Sequence, residues 1–292
     1  MKEHKSVMPD EALDYLHITK KAWCLDATLG GGGHTIKMLG AGAKVIGIDA
    51  DPKMLAIARN NIANACPANK DNFVGLNYNF SNLDRALLEA KVEKVEGVLF
   101  DLGISSVHLD SDVRGFSFRD GDQDLDMRLD PHNQNVRAAD LLNALDQTQL
   151  THLFAEAMPE HNAKKLAKSV VKRRSIKSFE KVVDFLELFN KRSGKIHPAT
   201  TAFMALRMAV NTEFENLEKG LEAALNVLVS GGHIVVIAFH SGEDRIVKTK
   251  FKSWQDRGFG QVETIKPVMP TKGEVINNPR ARSAKLRSFR KK

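Results

Sequence analysis

Short apolar runs alternate with amphipathic segments along the first hundred residues of the chain. Four runs have the continuous apolar character of strands that are buried on both faces: residues 22–27, 44–49, 73–77 and 95–102. Between them, residues 35–39 and 52–65 have helical patterning, and Pro52 suits a first helical position. Strands that alternate with helices predict right-handed βαβ units and a parallel sheet.

The alternation stops in the middle of the chain and resumes later. Amphipathic helices are predicted there without an intervening strand, at 136–145, 149–158, 163–173 and 179–191. A long helix over 213–229 is then predicted to end at Gly231-Gly232, before a buried strand at 233–239. We therefore predict an α/β fold in which a Rossmann-like sheet, formed by 1–110 and 196–292, is interrupted by a helical insertion domain at 111–195.

A glycine-rich turn, DATLGGGGHT at 26–35, joins the first strand to the first helix. Glycines permit positive φ and allow a ligand to lie against bare backbone at the positive end of a helix. Dinucleotide sites use a similar turn, but the G-x-G-x-x-G spacing fails because Thr35 stands where the third glycine would follow Gly30 and Gly32. Asp26 would repel a pyrophosphate, whereas it suits the ammonium group of a methionine moiety. The turn favours S-adenosylmethionine over NAD.

The ends of the other predicted strands carry further candidates for the cofactor site. Asp49 is placed to accept hydrogen bonds from ribose hydroxyls, and Asp101 ends the fourth strand at the edge where open α/β sheets bind ligands. Phe80 follows the third strand, where its ring could pack on adenine. Helix capping is the alternative for Asp49, and core packing is the favoured alternative for Phe80 taken alone. Together, the strand ends predict a cofactor site.

Nine sequence blocks occur in an order typical of one family. They are HKSVM (4–8), DATLGGGGHT (26–35), GIDADP (47–52), FDLGISS (100–106), RGFSF (114–118), LDMRL (125–129), GKIHPATTAFMALRMAVN (194–211), AFHSGEDRIVK (238–248) and RARSAKLR (280–287). On these blocks the chain resembles, over nearly its whole length, the bacterial small-subunit ribosomal RNA N4-cytosine methyltransferases, the MraW or RsmH family.

The resemblance implies a class I methyltransferase sheet, S-adenosylmethionine as the methyl donor and a cytosine of the decoding region of 16S ribosomal RNA as the acceptor. It implies transfer to assembled small ribosomal subunits; a homodimer stays open. The implied cofactor residues are Gly32, Gly33, His34, Asp49, Phe80, Asp101 and His108. The chain departs from the family pattern in three places: His108 stands for glutamine, Gly242 stands for leucine, and the loop at 120–125 is longer and more acidic.

Methylating the N4 amine requires in-line placement of the amine and acceptors for its protons, but no covalent nucleophile. The acceptor could be Asp101, a serine hydroxyl such as that of Ser105, or a backbone carbonyl. Four residues rank highest as further catalytic or substrate-site candidates: Asp126, Arg128, Asn211 and His240. Each has an alternative, because Asp126 and Arg128 could form an internal ion pair and Asn211 could end a helix. Ser241, next to His240, is expected to cap the following helix.

Composition and charge fit an enzyme that acts on RNA. The net charge is +7, and residues 277–292 carry seven bases and no acid, as do residues 163–177. Clustered bases favour a polyanionic partner through counterion release, although a solvated helix face and a frayed tail would explain them equally well. The two basic segments predict the RNA-binding surfaces. Truncation after Pro279 is expected to weaken RNA binding more than cofactor binding.

The remaining composition limits the location and the competing functions. Two cysteines without CxxC spacing predict neither a disulfide framework nor a metal site, and they fit a cytoplasmic protein. Neither a membrane span nor a secretory signal is predicted. A methyltransferase of small molecules or proteins is the main alternative. A nicotinamide oxidoreductase is disfavoured by the glycine spacing, and an RNA-binding module without activity is disfavoured by Asp26, Asp49 and the glycine turn.

Overall fold

The computed structural model describes residues 5–105, 107–108, 114–118, 120–189 and 197–292. Two compact units are formed: Met1–Ile104 with Phe214–Lys292, here the sheet unit, and Ser105–Glu213, here the helical unit. The helical unit is wider than the predicted insertion at 111–195. On its C-terminal side the reason is that the helix Thr200–Val210 packs on helices of the insertion.

The sheet unit contains seven strands in the order β3-β2-β1-β4-β5-β7-β6. Their bounds are β1 Trp23–Asp26, β2 Lys44–Asp49, β3 Phe73–Asn77, β4 Val95–Asp101, β5 Leu228–Ala238, β6 Gly260–Val262 and β7 Lys285–Lys291. The first five strands pair in parallel, whereas β7 runs antiparallel to both β5 and β6. This topology confirms the predicted Rossmann-like class I methyltransferase sheet.

Helices cover both faces of the sheet and form the helical unit. In chain order the described α-helices are α1 Pro9–Leu16, α2 Gly33–Gly40, α3 Pro52–Ala65, α4 Leu83–Glu89, α5 Ala138–Ala144, α6 Gln147–Ala155, α7 Glu160–Arg174, α8 Val182–Leu186, α9 Thr200–Val210, α10 Glu213–Val227, α11 Ser241–Asp256 and α12 Lys272–Asn277. Leu25 belongs to the core formed with α4, α10 and α11, whereas its neighbour Cys24 belongs to the core formed with α1, α2 and α3. This alternation explains why the strands are apolar throughout.

The helix before β5 ends earlier than predicted. Helix α10 stops at Val227, and β5 begins at Leu228 and runs through Gly231-Gly232, so the prediction that these glycines stop the helix is wrong. Gly231 has a φ of +82°, and a Cβ on Gly232 would lie 2.7 Å from the carbonyl oxygen of Glu96. The glycines therefore permit an irregular, close pairing of β5 with β4.

The basic C-terminal segment forms strand β7 and is not a frayed tail. It lies between β5 and β6, and Arg287 and Lys285 donate to the carboxylate of Asp244 over 2.6 and 3.1 Å. Truncation after Pro279 would remove an inner strand of the sheet. Because such a truncation would damage the whole sheet unit, it cannot separate RNA binding from cofactor binding, and the RNA-binding role of the segment stays a prediction.

The helical unit has an aromatic core of its own. Phe154 and Phe185 stack with their ring centroids 6.2 Å apart, and Phe179 meets Phe185 edge-on at 6.1 Å. The predicted helix at 179–191 is shorter, since α8 spans only Val182–Leu186 and its N-terminal end is held by the Asp184 carboxylate, which accepts from the Lys181 backbone N–H. Each helix of the described residues is too short or too polar to be a candidate membrane span.

Candidate functional site

The carboxylate of Asp26 forms hydrogen bonds with two residues of the glycine turn. Asp26 ends β1 and is fully buried; its Oδ2 accepts a 2.8 Å hydrogen bond from Thr35 Oγ1, and its Oδ1 accepts from the Thr28 backbone N–H. Burial raises the pKa of Asp26 above its ordinary value, against the opposing effects of His34 and the two threonines. The side chain therefore connects Thr28 and Thr35 within the turn and places a carboxylate next to it.

Two glycines of the turn have left-handed backbone conformations. Gly30 has a φ of +51° and Gly32 has a φ of +85°, which side chains with a Cβ adopt only at a cost. The Gly30 backbone N–H donates to Asp49 Oδ2 over 2.8 Å, and Asp49 Oδ1 accepts from the Asp51 N–H. The Asp49 carboxylate thus ties the turn to the end of β2, while Asp51 is the residue that caps α3.

His34 and Asp101 form the most unusual pair in the sheet unit. His34 Nε2 lies 3.3 Å from Asp101 Oδ2, and the backbone N–H of Asp101 donates to Thr28 Oγ1 over 2.6 Å. Burial alone would lower the pKa of His34, but contact with Asp101, together with the charge of Asp26, raises it above the ordinary value. Among the described residues, the buried atoms His34 Nδ1 and Asp101 Oδ1 have no hydrogen-bond partner. Such atoms are rare in proteins and are satisfied when a polar ligand binds beside them.

Phe80 lies at the next strand end and takes part in packing. It opens a 3₁₀ turn and meets Phe100 of β4 edge-on, with the ring centroids 5.8 Å apart. A Cβ on Gly220 of α10 would lie 2.8 Å from the Phe80 ring. The ring is therefore held between β4 and α10, which agrees with the packing alternative, and the residue is partly exposed.

Ser6, to which no role was assigned from the sequence, also contacts the turn. A Cβ on Gly33 would lie 2.1 Å from Ser6 Oγ, so glycine is required for this close approach. The N-terminal segment is fixed by the Met8 backbone N–H, which donates to Glu274 of α12 over 2.6 Å. The only sequence signal was the position of Ser6 within the HKSVM block.

In the helical unit, Asp126 and Arg128 form an internal ion pair, which the sequence analysis gave as the alternative to a catalytic or substrate-site role. Arg128 Nε and Nη2 each donate to one carboxylate oxygen of Asp126 over 2.7 Å, and Arg128 Nη1 donates to the Gln134 carbonyl oxygen. Both side chains are at most 18% exposed. The hydrogen bonds that Arg128 donates to the Asp126 carboxylate raise the pKa of the guanidinium, which stays charged. The pair shapes the loop that leads to α5.

Asn211, at the C-terminal end of α9, binds the same loop, residues 127–134, here the Asn211 loop. Its amide oxygen accepts from the Leu129 N–H and from Gln134 Nε2, both over 3.0 Å, and its amide nitrogen donates to the carbonyl oxygens of Met127 and Arg207. Asn211 is 4% exposed. The side chain thus forms four hydrogen bonds with described residues of its own unit.

Ser105 and His108 lie at the start of the helical unit. Ser105 Oγ accepts from the Val107 backbone N–H over 3.2 Å, as at the beginning of a helical turn. His108 is buried, and its ring lies 5.1 Å from that of Phe116. The structure therefore places Ser105, His108, Asp126, Arg128 and Asn211 in the helical unit, whereas Asp26, His34, Asp49, Phe80 and Asp101 lie in the sheet unit.

His240 is the capping residue of α11, so the prediction that Ser241 would be the cap is wrong. His240 Nδ1 accepts from the Glu243 backbone N–H over 3.4 Å, while the Glu243 carboxylate accepts from the backbone N–H groups of Phe239 and His240. A Cβ on Gly242 would lie 2.6 Å from the Phe214 ring. The ring of Phe214 thus occupies the space into which a leucine at position 242 would project.

Comparison with known proteins identifies the family. The MraW methylase family matches residues 1–292. The chain belongs to the MraW methylase family. A relative from Sulfurihydrogenibium sp. (strain YO3AOP1), named ribosomal RNA small subunit methyltransferase H, is 37% identical over all of both chains. A relative of the same name from Dictyoglomus thermophilum is 41% identical and covers 97% of this chain and 95% of its own.

As an MraW-family member, the chain is a methyltransferase that uses S-adenosylmethionine. The glycine turn fits this cofactor, because its positive-φ glycines allow a ligand to approach the backbone closely at the start of α2. The carboxylates of Asp26, Asp49 and Asp101 also lie at the carboxyl ends of three adjacent strands. Asp101 Oδ1 and His34 Nδ1, which have no hydrogen-bond partner in the described part of the chain, supply polar groups for a ligand.

Proposed function

We propose that this methyltransferase transfers the methyl group of S-adenosylmethionine to the N4 amine of a cytosine in the decoding region of 16S ribosomal RNA. The full-length match to relatives named for the small-subunit ribosomal RNA carries the proposal, because it includes the helical unit as well as the cofactor turn. The N4 position and the decoding region come from the sequence blocks of the resembled family.

For the cofactor, we propose that the turn at Gly30–Gly33 holds the methionine end and that Asp49 binds the ribose. The charge of Asp26 acts through the turn, since both of its oxygens are already bonded. Phe80 offers one ring face to adenine while the rest of the ring packs on the core. His108 is assigned to the cofactor on the sequence block alone.

The bound cofactor supplies an electrophilic methyl group on a sulfonium. The amine lone pair of cytosine is delocalised into its ring, so acceptors for the amine protons favour attack. We assign to Asp101 both this role and contact with the cofactor, because its Oδ1 is unpartnered among the described residues while its Oδ2 contacts His34. Transfer is direct and in line. In agreement, burial raises the pKa of the Cys24 thiol to about 12, which makes it a poor nucleophile.

The residues of the Asn211 loop act on the substrate by positioning. The side chains of Asp126, Arg128 and Asn211 form hydrogen bonds within and to the segment at 127–134. We therefore propose that they fix the shape of this loop, which contacts RNA through its backbone or through neighbouring residues. His240 likewise holds the start of α11 in place.

One face of α7 is the best candidate for RNA binding. Lys165, Lys168 and Lys172, here the α7 lysine face, are exposed and recur at helical spacing, and none of them forms an ion pair with another residue that the structure describes. Other bases of the same helix are engaged: Lys164 pairs with Glu160, and Arg173 pairs with Glu187. Unpaired lysines on a helix face suit phosphate groups.

The function is tested by methyl transfer to small ribosomal subunits that lack this modification. Subunits are incubated with the enzyme and methyl-labelled S-adenosylmethionine, and the nucleosides are then analysed by mass spectrometry. Labelled N4-methylcytidine is the expected product. Label in another nucleoside would contradict the proposed acceptor, and transfer only to a small molecule or a protein would contradict RNA as the substrate.

The RNA surface is tested by replacing Lys165, Lys168 and Lys172 with alanine. Affinity for a decoding-region RNA fragment should fall at least tenfold, and the slope of log affinity against log salt should decrease by about 2 to 3. The matched control replaces three exposed lysines outside the helical unit, namely Lys248, Lys252 and Lys266. An equal loss of affinity in both triple variants would exclude a specific role for α7.

A further inference from the structure

Two histidines and a glutamate from distant parts of the chain meet at the amino end of the sheet. His17 follows α1, His233 lies on β5, and Glu263 follows β6 directly. One ligand atom from each lies within 4.8 Å of the others. His233 is four residues before Ile237, the residue paired with Asp101, so the cluster lies ~13 Å along the strand from the cofactor edge.

The spacing of these atoms is close to that of a zinc coordination sphere. Nε2 of His233 lies 3.4 Å from Oε1 of Glu263, and adjacent ligands of a tetrahedral zinc with bonds of roughly 2.0 Å are about 3.3 Å apart. The imidazoles of His17 and His233 lie with their ring centroids 4.6 Å apart and are tilted by 46°. Small rotations of the exposed His17 side chain would complete three ligands around one ion.

The surroundings prepare two of the three ligands. Ser288 Oγ donates to the second carboxylate oxygen of Glu263, and the Glu263 N–H donates to the Ser288 carbonyl oxygen, so the acid is oriented by β7. His233 is buried on β5, so its imidazole is held beside the Glu263 carboxylate.

We propose that His17, His233 and Glu263 form a zinc site that ties α1 to the β5–β7–β6 edge of the sheet. Two imidazoles and one carboxylate are a donor set that zinc prefers, and they leave a fourth position for water. The amino end of the parallel strands is the edge opposite the cofactor turn, so the ion has a stabilising role there. Sequence spacing could not reveal the site, because its ligands are separated by 216 and 30 residues.

The test measures zinc binding by chelator-treated full-length protein. Isothermal titration with ZnCl₂ should show one site with a dissociation constant at or below micromolar, and zinc should raise the melting temperature by mass action. His17→Ala and Glu263→Gln should each weaken binding at least tenfold while the unligated proteins melt as cooperatively as the wild type. The control removes two exposed histidines of the helical unit, His132 and His161, and should bind as the wild type does.

Cobalt titration provides a second readout. Co²⁺ in the site should give visible absorption bands typical of four-coordinate nitrogen and oxygen ligation, and these bands should vanish in His17→Ala. Loss of zinc binding in the His132 and His161 control, or equal binding by the wild type and both site variants, would overturn the proposal. Absence of stoichiometric binding by the wild type would overturn it as well. None of these readouts depends on methyl transfer.

Discussion

The glycine turn and the Asn211 loop contain the same kinds of polar residue, yet they use their polar atoms differently. At the turn, His34 Nδ1 and Asp101 Oδ1 are buried without a partner among the described residues. In the loop, Asn211 makes four hydrogen bonds, and Arg128 engages both oxygens of Asp126. A buried polar atom is costly when it lacks a partner, so the turn is prepared for a ligand, whereas the loop is complete without one.

This difference separates two roles that sequence motifs alone do not distinguish. Residues of the turn should affect cofactor binding strongly and folding weakly. Residues of the loop should affect folding strongly and cofactor binding only through loss of the folded state. Variants of the two regions therefore offer a direct comparison.

The largest expected effect is that of Asn211→Ala on stability. The substitution leaves buried backbone groups of Met127 and Leu129 without partners, so the free energy of unfolding should fall by about 3 kcal/mol. Urea unfolding followed by circular dichroism measures this change. Asn133→Ala removes an exposed amide from the same loop and serves as the control. A loss of similar size in both variants would show that Asn211 does not hold the loop.

A smaller effect is expected from Gly242→Leu at the start of α11. The new side chain would overlap the ring of Phe214, so the protein should lose about 2 kcal/mol of unfolding free energy, and the His240 cap should be disturbed. The double variant Gly242→Leu with Phe214→Ala opens the space and should recover most of the loss. Thermal melting of the three proteins checks this result. Additive losses in the double variant would contradict the overlap.

The smallest expected effect is a pH dependence of stability at the turn. The raised pKa of His34 means that its contact with Asp101 stabilises the fold fully below pH 6.5, the ordinary histidine value, and that this contribution is lost as pH rises through the raised pKa. Melting temperatures of wild type and Asp101→Asn, measured from pH 5.5 to 9, should differ most at the acidic end. A difference that is constant with pH would exclude the charged pair.

The sequence predicted the strands β1 to β4 and the glycine turn because their signals are local. Residues 44–49 and 73–77 form strands with the predicted bounds, and the turn lies where the first strand ends. The carboxylates of Asp26, Asp49 and Asp101 then lie at one edge of the sheet, because the carboxyl ends of parallel strands meet there.

The elements that were missed depend on partners far away in the chain. Strand β7 has only two strongly apolar residues, and its Arg287 is buried because Asp244 compensates its charge. The two charged groups are separated by 43 residues, so the sequence alone predicted an RNA-binding segment or a frayed tail but not a strand. The bonds of Asn211 to the loop likewise span more than 80 residues. Local patterns cannot show whether such polar atoms are already satisfied.

If S-adenosylmethionine binds to His34 Nδ1 and Asp101 Oδ1, the buried atoms that have no partner among the described residues, calorimetric titration with S-adenosylhomocysteine tests that binding most directly. Compared with the wild type, Asp101→Asn should bind at least tenfold more weakly at pH 8 while its melting temperature stays within a few degrees. The exposed-carboxylate control Asp84→Asn should bind as the wild type does. Equal affinity in Asp101→Asn and the wild type would exclude Asp101 as a residue that binds the cofactor.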